Sequence, residues 1–94
     1  MAVRPLPRGS RIDQSSAVVT CPRDDELSLI DMGAGRRITL DPFGQRVWAA
    51  LTERPTLALL LARLRDDDTT AERLAEDVTR LLARWRAWGV IIWR

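Results

Sequence analysis

Every basic side chain in this 94-residue sequence is arginine: there are fifteen, with no histidine, no lysine and no tyrosine. A guanidinium stays charged at any physiological pH, so it can hold carboxylates or peptide carbonyls but does not shuttle protons. General acid–base work near neutrality would fall to carboxylates alone. The single cysteine, Cys21, has no histidine to activate it and makes neither an internal disulfide nor a thiolate zinc site. Its residue type and its place in a β-branched run predict a small buried strand residue. This inventory argues against an enzyme, a metal site and a cofactor, and for a protein that binds. The chemistry that remains rests on arginines, a few acids and four tryptophans. The plainest instance is Arg36-Arg37, which opens the stretch RRITLDPFGQRVW.

The elements that carry these groups are readable from periodicity. Residues 1–16 hold Pro5, Pro7, Gly9, Ser10, Ser15 and Ser16 and read as a flexible N-terminal arm with a short extended piece around Ile12. Residues 17–94 form the expected domain. AVVTC is a β-branched strand, and Pro22 with the acids of residues 24–26 makes a turn. ELSLID alternates, with Leu27 and Leu29 on one face and Ser28 and Ile30 on the other. Gly33 and Gly35 suit a hairpin loop. RRITL returns with Ile38 and Leu40 on one face and Arg37 and Thr39 on the other.

Asp41 is an N-cap residue and Pro42 sits at the first helical position, so the chain switches from strand to helix there. This helix carries Phe43, Val47, Trp48 and Leu51 on one side and is expected to run up to Pro55. Thr56 caps a second helix with Leu57, Leu60, Leu61 and Leu64 inward, which leaves Leu59 off the stripe. Thr69 and Glu72 have capping-box spacing and predict the start of a third helix. Its apolar arc is Leu74, Val78, Leu81, Leu82, Trp85 and Trp88, and it stops at Gly89. VIIW is a last extended segment. The order predicts an α+β, winged helix-turn-helix-like domain: a three-stranded antiparallel sheet followed by three α-helices. Trp48 and Trp85 read as core, whereas Trp88 and Trp93 are candidate partner anchors.

The formal net charge is +2. Arginines and acids alternate along most of the chain, with negative turns at residues 24–26 and 66–68, so no concentrated basic face for nucleic acid is expected. No apolar run has the length of a membrane span, and the first residues lack the apolar core of a secretory signal. A cytoplasmic protein with no membrane partner is the expectation.

The blocks LSLIDMGAGRRITLDPFGQRVWAALTERPTLALLLARL and AEDVTRLLARWRAWGVI resemble the family of the pyrroloquinoline-quinone biosynthesis protein D. The likeness spans about residues 17–93 and rests on the order and spacing of Asp41, Gly44, Trp48, Thr56, and Gly89 with Val90 and Ile91. It implies a non-catalytic recognition element that binds the leader segment of a ribosomally made precursor peptide and presents it to modifying enzymes. A short free-standing chain is most similar to the leader-binding protein of lasso-peptide biosynthesis. Its partners would be a leader of Tyr-x-x-Pro type, a separate leader peptidase and the cyclase. The larger tryptophans at 85 and 88 and the apolar tail to Trp93 depart from the common pattern.

The resemblance also implies where the leader lies: on the third strand and against the third helix. An open sheet edge can take an extended peptide as an added strand. Backbone pairing is blind to sequence, so side chains beside the strand must supply specificity. The expected peptide-binding residues are therefore Arg36, Arg37, Ile38, Thr39 and Leu40 on the strand and Asp77, Leu81, Arg84 and Trp88 on the helix. The second reading is a winged-helix DNA-binding domain, with the third helix as recognition helix. Glu72, Glu76 and Asp77 in its first turns would repel phosphates, which ranks that reading below peptide binding.

Overall fold

The computed structural model describes residues 9–93, so residues 1–8 of the expected arm lie outside the described residues, as does Arg94. The elements are β1 (Ile12–Gln14), β2 (Val18–Arg23), β3 (Glu26–Asp31), β4 (Arg36–Leu40), α1 (Pro42–Ala50), a 3-10 turn (Leu51–Glu53), α2 (Leu57–Leu64), α3 (Ala71–Ala87) and β5 (Ile91–Trp93). Strands β2, β3 and β4 form an antiparallel meander in that spatial order, and the three helices follow. The fold class is the α+β, winged-helix-like one expected.

A second, two-stranded sheet joins the ends of the domain. β1 pairs antiparallel with β5, Ile12 opposite Trp93 and Gln14 opposite Ile91. Ile12 is fully buried, and its N–H donates to the Pro55 carbonyl at 2.9 Å. The Gln14 side-chain amide donates to the Trp48 carbonyl at 2.9 Å. Residues 12–14 thus pack with the domain that the sequence places from residue 17 onward.

Local chemistry fixes the helix ends. The Asp41 carboxylate accepts from the Gly44 N–H at 2.6 Å, and Thr56 Oγ1 accepts from the Leu59 N–H at 3.3 Å. α1 stops at Ala50 rather than running to Pro55. The last turn tightens into the 3-10 form, and Arg54 takes a left-handed φ of 54° before Pro55. The cap of α3 is Thr70, not Thr69: its hydroxyl accepts from the Arg73 N–H at 3.2 Å. Asp66 explains the shift, because its carboxylate holds the N–H groups of Asp68 and Thr69 and keeps Thr69 in the loop. At the other end Gly89 has φ of 77°. The Gly89 N–H donates to Arg86 and the Val90 N–H to Trp85, both at 3.0 Å, which makes a Schellman turn. That turn drives Val90 and Ile91 into the core and aims β5 at β1.

Leu29 and Leu40 from the sheet meet Val47, Trp48 and Leu51, then Leu60 and Leu64, then Leu74, Val78, Leu82 and Trp85. Trp48 and Trp85 pack edge to face, with centroids 5.6 Å apart and planes at 85°. Glu53 in the 3-10 turn pairs with Arg63 on α2. A hydrogen bond from Arg63, and then its charge, holds the Glu53 carboxyl below its ordinary value. Leu59 is exposed, as its position off the stripe predicts. Cys21 is half-buried rather than buried, because it sits on the outward face of an edge strand. No helix among the described residues is long and apolar enough to cross a membrane.

Candidate functional site

β4 is an edge strand. One side pairs with β3, Leu40 opposite Leu27 and Arg36 opposite Asp31; its other side has no partner strand among the described residues. A free edge of this kind presents a row of N–H and C=O groups ready to pair with an extended chain.

The period of two sorts the five strand residues. Arg36, Ile38 and Leu40 share the face of Leu29, which is the core face, while Arg37 and Thr39 share the face of Ser28 and Ile30. Leu40 is only 6% exposed and belongs to the core, so its side chain is not available to a ligand. Ile38 is half-buried against the core's rim. Thr39 Oγ1 lies 3.3 Å from Ser28 Oγ on the outward face. The adjacent arginines therefore part company. Arg36 reaches α3, with its Cζ 5.9 Å from the centroid of the Trp88 ring. Arg37 lines an open cavity with Arg23, Asp24, Asp25 and Glu26 at the β2–β3 turn, on the other face.

The helix supplies the facing wall. Asp77, Leu81, Arg84 and Trp88 are spaced four, three and four residues apart, which places them within about 60° of arc. They span ~16 Å along the axis at 1.5 Å per residue, close to the ~14 Å of β4. Asp77, Leu81 and Arg84 line one open cavity of about 190 Å³ together with Phe43 and Arg80. Leu81 is half-buried and packs against the core, so it forms the apolar base. Arg80 and Asp77 pair at 3.6 Å on the rim. The Arg36–Trp88 contact marks the other end.

Sequence reasoning missed Phe43 and Arg80. Phe43 reads as core because Val47 follows four residues later. In the structure it is half-buried, with one side on the core and the other on the cavity, and its place in the first turn after β4 is the signal that marks it. Trp48 and Trp85 are buried core, Trp88 is 36% exposed beside Arg36, and Trp93 is half-buried under Arg86, whose Cζ is 4.2 Å from its centroid. No group of three or more His, Cys, Asp or Glu side chains among the described residues is placed to hold a metal ion.

What this arrangement offers is an unpaired strand edge beside an apolar, arginine-rimmed helix flank. The closest chemical use of that pair of features is to hold an extended peptide. No curated protein matches the chain. Among solved structures it is similar to one described as TbiB1 in complex with the TbiA(beta) leader peptide. The two share 24% identity with a TM-score of 0.75, over 84% of this chain and 93% of that one, which establishes the common fold. The family model for coenzyme PQQ synthesis protein D matches residues 26–91, a stretch that runs from the first residue of β3 to the first of β5 and contains both walls of the groove. By that match the chain belongs to the PqqD family.

Proposed function

We propose that the protein is a non-catalytic recognition element that captures the leader segment of a ribosomally made precursor peptide. The leader adds to the free edge of β4 as a further antiparallel strand, and its side chains enter the flank of α3. The observation that carries this reading is the unpaired edge of β4 lying beside the Phe43–Leu81 cavity. Family membership supports it, and so does the likeness to a structure described with a bound leader peptide. Arg36, Ile38, Asp77, Leu81, Arg84 and Trp88 are the proposed contacts. Arg37, Thr39 and Leu40 contribute backbone only.

The finer reading is a lasso-peptide pathway in the cytoplasm. There the protein hands a Tyr-x-x-Pro leader to a separate leader peptidase and to the cyclase. Proline and an aromatic ring suit an apolar slot with a polar rim, which is what Phe43, Leu81, Arg80 and Arg84 form. Each backbone bond would add a net ~0.5–1.5 kcal/mol. The rest of the affinity must come from that slot.

Amide chemical shifts of labelled protein on titration with a synthetic Tyr-x-x-Pro leader test the docking site. The largest changes are expected at residues 36–40 and along 77–88. Changes confined to β2 or to α2 would rule the site out. Co-purification of the leader-bound protein with a candidate peptidase tests the delivery step.

A further inference from the structure

The two edges of the meander do not offer the same groups. Opposite residues in an antiparallel pair alternate between those that exchange N–H and C=O with each other and those that turn both away. The Met32 N–H donates to the Ala17 carbonyl at 2.9 Å, so Met32 is turned toward β2. By alternation Ile30, Ser28 and Glu26 are turned toward β2 as well, and Asp31, Leu29 and Leu27 toward β4. Two independent features agree. The Gly35 N–H donates to the Asp31 carbonyl at 2.8 Å, and Pro22, which has no N–H to give, stands opposite Leu27.

The register carries this parity across to β4. Arg36, Ile38 and Leu40 stand opposite Asp31, Leu29 and Leu27, so their backbone groups are turned to β3. The Gln45 side-chain amide donates to the Leu40 carbonyl at 3.2 Å and to the Asp25 carbonyl, just before β3, at 3.5 Å, which puts the Leu40 carbonyl on the β3 side. Within β4, Arg37 and Thr39 are therefore the residues whose N–H and C=O face the free edge, and Leu40 drops out of the backbone contacts. The row ends at Asp41, whose carbonyl accepts from the Gln45 N–H of α1 at 2.9 Å. The opposite edge is poorer. The outward groups of β2 are those of Val18, Thr20 and Pro22. The Val18 N–H is bonded to the Ser15 carbonyl at 3.2 Å and Pro22 has none, which leaves Thr20 as the donor.

We infer that the docked peptide is gripped through the backbone of Arg37 and Thr39 alone, and that it must supply free N–H groups only at the two residues opposite them. This rests on the reading that a leader adds antiparallel to β4. Residues opposite each other in a ladder share a face of the sheet. The two bonded peptide residues therefore carry their side chains on the face of Ser28 and Ile30. The residue between them, opposite Ile38, carries its side chain on the groove face and turns its N–H away from β4. The position read by the groove is thus one whose N–H is unused, and an N-substituted residue fits there but not one place to either side. Selection acts on the peptide backbone as well as on its side chains.

Amide hydrogen exchange, followed by NMR on the labelled full chain with and without a synthetic Tyr-x-x-Pro peptide, tests the grip. In the free protein the Ile38 and Leu40 amides should exchange slowly and those of Arg37 and Thr39 fast. With saturating peptide, Arg37 and Thr39 should slow by at least about tenfold, while Thr20 on β2 should not change. The requirement on the peptide is tested by moving a single N-methyl group through it, one residue at a time, and reading affinity by anisotropy. Losses of roughly two- to tenfold are expected at two residues two places apart, and less than about twofold at the residue between them. Fast exchange at Ile38 in the free protein would overturn the parity. A bound peptide that shifts residues 36–40 without slowing Arg37 and Thr39, or that responds equally to N-methylation at neighbouring residues, would overturn the inference and leave docking at β4 standing. If the peptide perturbs nothing in residues 36–40, the docking reading fails and this inference falls with it.

Discussion

Arg36 and Trp88 join the first residue of β4 to the C-cap residue of α3 through a cation–π contact, the guanidinium carbon standing 5.9 Å from the ring centroid. A contact at this exposure contributes ~0.5–1 kcal/mol. Its position matters more than its strength. It ties the edge strand to the helix flank at one end of the groove, while Phe43 and Leu81 define the other. A strand laid along β4 would pass this contact and change the surroundings of the indole.

Trp88 is therefore a built-in reporter. Trp48 and Trp85 are buried, and Trp93 is held under Arg86. Tryptophan emission should shift on titration with a leader peptide, and Trp88→Phe should remove most of that change. A full signal in Trp88→Phe would place the peptide elsewhere.

The two adjacent arginines should behave differently. Arg36 faces the helix and Arg37 faces the cavity at the β2–β3 turn. Arg36→Ala should weaken leader binding by roughly two- to fivefold, the scale of an exposed cation–π or ion-pair contact. Arg37→Ala should change it by less than about twofold, because a distant exposed charge is well screened. Anisotropy titrations of both variants decide between the faces.

Much of this was legible from residues 36–42. Alternation marked β4 with its observed bounds, and Asp41-Pro42 marked the start of α1. The same alternation already assigns Arg36 and Arg37 to opposite faces; treating them as one charged pair overlooked it. Other features depended on distant partners. β1 is three residues long: a short extended piece around Ile12 is legible locally, but its pairing with β5, the burial of Ile12 and its bonds to Pro55 and Trp48 depend on distant residues. The Thr70 cap was hidden by an equally good Thr69, and only the loop bonds of Asp66 decide between them. Phe43 has two environments at once, which a core-or-surface reading of periodicity does not represent.

Two glycines should respond differently to alanine. At Gly89 the backbone φ of 77° disfavours any Cβ, although no atom lies within 4 Å of one. Gly89→Ala should cost ~1–2 kcal/mol, lowering the melting temperature of a domain this size by roughly 4–15 °C. At Gly44 a Cβ would sit 3.1 Å from Asp41 Oδ1, so the capping carboxylate must shift. The loss of part of a cap worth ~1 kcal/mol is offset by a helix-propensity gain of about the same size, and Gly44→Ala should be near neutral. Thermal melts of both variants check the contrast.

The Trp48–Trp85 pair is buried within the core. Trp85→Ala should cost ~3–5 kcal/mol, a large part of the ~5–15 kcal/mol that holds a domain of this size together. Trp85→Phe keeps most of the packing and should cost less. Urea unfolding measures both. In the folded Trp85→Phe protein leader affinity should stay within about twofold of wild type, because Trp85 is buried and lines no part of the cavity.

Leu81 and Asp77 separate groove from loop. Leu81 is half-buried at the base of the cavity and also touches the core, so Leu81→Ala removes contacts from both. Losing the anchor should weaken the leader by roughly 1–3 kcal/mol, about five- to 150-fold, with a smaller loss of stability because part of the side chain is already exposed. Asp77 has a 38% exposed side chain and a 3.6 Å pair with Arg80, so Asp77→Ala should leave the melting temperature nearly unchanged. Asp67 lies in the exposed loop before α3 and lines no part of the groove. Asp67→Ala should therefore alter neither stability nor binding by more than a few tenths of a kcal/mol. Affinity and melting temperature are measured together for the three variants, so that a loss of binding is not mistaken for a loss of folding. If Asp67→Ala weakens the leader more than Asp77→Ala does while both proteins stay folded, the peptide docks nearer α2, and the groove between β4 and α3 is not its site.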